Sequence, residues 1–99
     1  MNILAIGAHP DDIEIGCGAT LIKYRQNGHR IYSLIMTDGE MGGENEVRRQ
    51  EQVRSNKIIG VEKTFWGGYK DTKLPLNKDV VTVVENVIHE VAPIFIFVN

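Results

Sequence analysis

The chain has 99 residues, with 11 Lys and Arg against 13 Asp and Glu for a net charge of −2, and is 42% hydrophobic and 24% charged. That balance fits one ordinary domain with a single core, and it offers no basic patch for nucleic acid. The longest apolar stretch, 93–98, is far below the roughly 18 residues of a membrane span, no basic leader opens the chain, and a single cysteine, Cys17, excludes an internal disulfide framework and sets the expectation of a reducing cytoplasm.

Residues 3–8, Ile-Leu-Ala-Ile-Gly-Ala, are apolar on both faces and stop at Pro10 and two aspartates, as a buried parallel strand does. Gly16-Cys17-Gly18 leads into a helix over 19–28, in which Leu21 and Tyr24 share a side with Cys17 and Gly28 stands where a left-handed terminal residue belongs. A second strand, 31–37, ends at Asp38-Gly39-Glu40. Residues 44–59 are polar and rich in helix formers. Val47, Arg54 and Ile58 make a thin stripe there, which predicts a helix with one face in solvent, ended by Gly60-Val61. A short strand over 63–66 is followed by a glycine-rich loop over 67–71. Val80, Val84, Val87, Ile88 and Val91 then recur at helical spacing, with Asn77 or Asp79 as cap. The β-branched run 80–84 also suits a strand, but the period and the length favour a helix. Pro93 stops it, and 94–98 has the composition of a fourth buried strand.

The order β-α-β-α-β-α-β specifies an α/β domain with a mostly parallel sheet and helices on both faces. In such a sheet every strand C-terminus opens on one edge, so His9-Pro10-Asp11-Asp12, Asp38-Gly39-Glu40 and the 67–71 loop converge there. One imidazole then meets Asp11, Asp12, Glu14, Asp38, Glu40 and, at the end of the third loop, Asp71. Carboxylates crowded in one crevice call for a cation. His9 and Asp12 are the natural pair of ligands: a turn fixed by Pro10 aims residues i and i+3 at one point, and imidazole nitrogen with carboxylate oxygen suits zinc and related divalent ions. Asp11 between them fits a base that is not a ligand. The plainer alternative is a turn and helix cap without metal.

Other features have competing readings. Gly16-Cys17-Gly18 lacks the full glycine pattern of a phosphate-cradling loop, and the carboxylates before it repel phosphate, so a nucleotide-binding domain is the poorer reading. Cys17 is either a zinc donor or, more commonly for a small thiol, a packing residue under the helix start. His29 and His89 fall on the opposite edge of the sheet. Arg48, Arg49 and Glu51 open the second helix, either toward a polar ligand or as an exposed ion-paired face. Trp66 and Tyr69 suit stacking on a sugar or packing in the core.

With these residues in place, the chain resembles the LmbE-like (PIG-L) family of zinc-dependent N-deacetylases. The likeness rests on Ala8-His9-Pro10-Asp11-Asp12-Ile13-Glu14, Gly16-Cys17-Gly18, Thr37-Asp38-Gly39-Glu40, Arg48-x-x-Glu51 and the glycine-rich loop ending in Asp71, all in family order. It implies a Rossmann-like three-layer αβα fold that removes acetyl groups from N-acetylglucosamine-type sugars or their conjugates, with Zn2+, or iron or manganese in its place, as cofactor. By the same resemblance His9 and Asp12 are metal ligands, and Asp11 is the general base for a zinc-activated water. Glu40, Arg48 and Asp71 line the substrate pocket. In the family a third zinc ligand, a histidine, follows the fourth strand, whereas this sequence stops at Asn99. The expectation is therefore that residues 1–99 are the N-terminal part of one deacetylase domain, truncated after the fourth strand and weak or inactive alone. An uncovered fourth strand also implies a tendency to form homo-oligomers. A non-catalytic cation- or sugar-binding module is the rival to an enzyme.

Overall fold

The computed structural model describes residues 1–9, 12–37, 45–69 and 78–98. Its elements follow the predicted order: β1 (Asn2–Gly7), α1 (Asp12–Gln26), β2 (Arg30–Thr37), α2 (Asn45–Ile59), β3 (Val61–Tyr69), α3 (Lys78–Val91) and β4 (Phe95–Val98). The four strands form one parallel sheet in the order β3-β2-β1-β4. The chain steps outward from β1 to β2 to β3, then crosses back to pair β4 with the other side of β1. The gap between β1 and β4 is thus the topological switch point, where open α/β sheets receive ligands.

Side-chain alternation along the strands builds two cores. Ile3 and Ala5 of β1 and Ile31 and Ile35 of β2 turn to one face and pack with Ile13 and Leu21 of α1 and Ile59 of α2. Leu4, Ile6, Leu34 and Met36 turn to the other face and meet Val87 and Val91 of α3. This is the three-layer αβα arrangement, and it explains why β1 and β2 are apolar on both faces. The valine-rich stretch is a helix as its period indicates, because that stripe covers the second core. Gly28 adopts φ +90° and closes α1 in the left-handed conformation.

Four local expectations are corrected. Helical structure begins at Asp12 rather than at residue 19, with a break at Cys17 (φ −147°, ψ 18°) between two glycines that resist neither conformation. Residues 67–69, read as loop, extend β3: Ile35 pairs with Trp66 and Thr37 with Tyr69, so one extra residue bulges from β3. Gly67 permits this, since a Cβ there would stand 2.7 Å from the carbonyl oxygen of Met36. On α2 the buried face is Gln52, Asn56 and Ile59, whereas Ile58 is 78% exposed; the amides are buried because they find partners, which hydropathy patterning does not register. Finally, β4 pairs only with β1 among the described strands, and Phe95, Ile96 and Val98 are largely exposed rather than buried.

Candidate active site

β1 delivers the chain to the C-terminal edge of the sheet at the switch point, and a tight turn follows at once. The Asp12 N–H donates to the His9 carbonyl at 3.3 Å, and the His9 N–H donates to Asp12 Oδ2 at 3.0 Å. These reciprocal bonds close the turn and draw the two side chains together, leaving His9 Nδ1 3.5 Å from Asp12 Oδ2. Both side chains remain open to solvent, at 43% and 34% exposure, so a ligand can reach them. Gly7 makes the close return possible: a Cβ there would meet Ile13 Cγ1 at 3.1 Å and Asp12 Cβ at 3.3 Å. On the other side Thr37, fully buried at the end of β2, holds the Ala8 carbonyl through both its N–H (2.9 Å) and its Oγ1 (2.8 Å). The residue before His9 is therefore clamped to the neighbouring strand.

The structure brings His9 and Asp12 together. Asp11, Glu40 and Asp71, together with Asp38, lie outside the described residues. Arg48 falls in the first turn of α2, at the same edge of the sheet, but its side chain and that of Glu14 are outside the described ones. Among the described residues no third His, Cys, Asp or Glu joins the pair. His29 and His89 lie at the edge of the sheet opposite His9, as the element order requires. His29 immediately precedes β2, its ring edge-on to Tyr24 at 5.6 Å, and His89 is in the last turn of α3. Cys17 and Trp66 pack against the α1–α2 core, which favours their packing readings. Sequence reasoning gives Gly7 no role at the site and names Thr37 only within the family motif; a glycine inside an apolar run and a threonine closing one are the signals they leave.

The model of the PIG-L family, GlcNAc-PI de-N-acetylase, matches residues 4–99. This chain belongs to that family. It is 41% identical to the uncharacterised deacetylase YaiS of Escherichia coli K12, across 93% of this chain and 51% of YaiS. It is 38% identical to the diacetylchitobiose deacetylase of Thermococcus kodakarensis, across 84% of this chain and 36% of that enzyme. Among solved structures, the N,N′-diacetylchitobiose deacetylase of Pyrococcus horikoshii with its inhibitor MPG superposes with a TM-score of 0.92 at 32% identity, covering 96% of this chain and 39% of that one. The chain thus spans about half the length of YaiS and less of the other two. No described helix is long and apolar enough to cross a membrane.

Whether the family's zinc suits this member is tested by its donor pair. Two ligands bound to one tetrahedral zinc at about 2.0–2.1 Å stand about 3.4 Å apart. The observed 3.5 Å between Nδ1 and Oδ2 matches that edge, and the His9 N–H bond to Oδ2 orients the carboxylate within the turn. An imidazole nitrogen and a carboxylate oxygen are also the donor types zinc accepts. The pair fits.

Proposed function

We propose that this protein is a metal-dependent hydrolase that removes the N-acetyl group from an N-acetylglucosamine-type sugar or its conjugate, with residues 1–99 lying within a single deacetylase domain. The observation that carries the proposal is the solvent-open His9–Asp12 pair at the switch point of a family member's sheet. The diacetylchitobiose deacetylases among its relatives support the class of substrate.

His9 and Asp12 would hold the ion, zinc by preference, with iron or manganese as alternatives. Bound there, zinc supplies a Lewis acid that polarises the amide carbonyl and lowers the pKa of water. Asp11, between the two ligands, takes the proton from the attacking water and delivers it to the departing amine, so that the amide and water become amine and acetate. Glu40, Arg48 and Asp71 bind the sugar hydroxyls, the arginine through its planar set of donors. A single cysteine, Cys17, fits a reducing compartment, and we place the reaction in the cytoplasm.

Acetate release from N,N′-diacetylchitobiose by the zinc-loaded full-length protein tests the proposal, residues 1–99 alone being expected to be weak or inactive. Asp11→Asn is expected to lower kcat by about 10²–10⁴-fold while zinc stoichiometry is retained. Turnover unchanged in Asp11→Asn would remove Asp11 from its role. No turnover by either protein, with zinc or sugar still bound, would point to a binding module instead.

A further inference from the structure

The second helix is seated on the sheet in an unusual way. Its described apolar residues Val53 and Ile58 face outward, and Ile59 alone among them is buried. In their place Gln52, fully buried, donates from Nε2 to Asn56 Oδ1 at 2.9 Å. Asn56 donates from Nδ2 to Thr64 Oγ1 on β3, and Ser33 Oγ of β2 donates to the same oxygen at 2.9 Å. A ladder of polar side chains thus runs from buried α2 amides through the half-buried Thr64 of β3 to Ser33 of β2.

Apolar contacts are non-directional and tolerate a helix that slides or rolls. Hydrogen bonds with a window of about 2.7–3.2 Å do not. A helix docked by such bonds therefore has one position along the sheet. Arg48 precedes Gln52 by four residues, one turn nearer the N-terminus of α2, which opens on the edge that carries His9 and Asp12. We propose that Ser33, Thr64, Asn56 and Gln52 are positioning residues that set α2 so that Arg48 engages the N-acetyl sugar; this rests on the deacetylase reading above. They touch no substrate themselves.

The experiment compares four forms of the protein: the wild type, Arg48→Ala, the apolar ladder Ser33→Ala/Gln52→Leu/Asn56→Leu/Thr64→Val, and that ladder with Arg48→Ala. Replacing the whole ladder removes both members of each of its three bonds together, so a purely structural network would be lost with little effect on kinetics. The expected result is a KM for N,N′-diacetylchitobiose raised about tenfold by the ladder variant, with kcat within about twofold and no further rise when Arg48→Ala is added. If the fourfold ladder does not fold, Gln52→Met removes only its end, and a KM rise of about threefold that again vanishes in the Arg48→Ala background is expected. An unchanged KM, or effects of ladder and Arg48→Ala that simply multiply, would overturn the proposal while leaving the deacetylase reading intact. A wild type that releases no acetate would overturn both.

Discussion

His9 and Asp12 are three residues apart, and that is why they can be read from sequence. A short turn fixes the relation between them locally, so residue type and spacing already imply convergence, and the structure puts 3.5 Å between their donor atoms. Gly7 and Thr37 matter as much to the geometry, Gly7 against Asp12 and Ile13 at the start of α1 and Thr37 against Ala8 beyond β1, and the local pattern marks their places without showing those contacts. Asp11, Glu40, Arg48 and Asp71 take their roles from the family likeness. Thr37→Val tests the clamp: it removes the hydroxyl bond to Ala8 but keeps the backbone one. The expected loss is about 1 kcal/mol, seen as a melting temperature lowered by about 4–8 °C. An unchanged melting temperature would mean the backbone bond suffices.

The elements show where periodicity is informative and where it is not. The valine stripe of α3 is legible because it packs on an apolar sheet face, and the apolar runs of β1 and β2 are legible because both their faces are covered. On α2 the rule that buried means apolar selects the wrong face, because Gln52 and Asn56 go inside as hydrogen-bonded amides. The extent of β3 escapes for another reason. Two glycines look like a loop, yet at Gly67 the missing side chain is what lets the strand lie against the backbone of Met36. Gly67→Ala is accordingly expected to destabilise the protein by about 1–3 kcal/mol through overpacking. Denaturant titration checks this, and a midpoint equal to that of the wild type would contradict the bulge geometry.

At the scale of the whole molecule, alternating strands and helices were enough to give the α/β class and a parallel sheet, but not the strand order. The β3-β2-β1-β4 order depends on which side of β1 the last strand joins, and local sequence does not encode that choice. The apolar composition of β4 suggested burial, yet Phe95, Ile96 and Val98 are 52%, 43% and 72% exposed. Among the described strands β4 stands at the edge of the sheet, and an uncharged apolar edge favours association with other chains. Residues 1–99 taken alone are expected to self-associate in sedimentation velocity as concentration rises, and Phe95→Lys/Val98→Lys to suppress this. Equal association by the doubly charged variant would clear β4 of responsibility.

The functional reading depends most on the claim that His9 and Asp12 hold a catalytic metal ion. Calorimetric titration of zinc into the wild type and into Asp12→Ala, side by side, tests it most directly. One zinc per chain in the wild type, with affinity lowered by at least about 10-fold in Asp12→Ala, is the expected result. Equal binding by the two proteins would place the metal elsewhere and leave the His9–Asp12 turn as a structural cap.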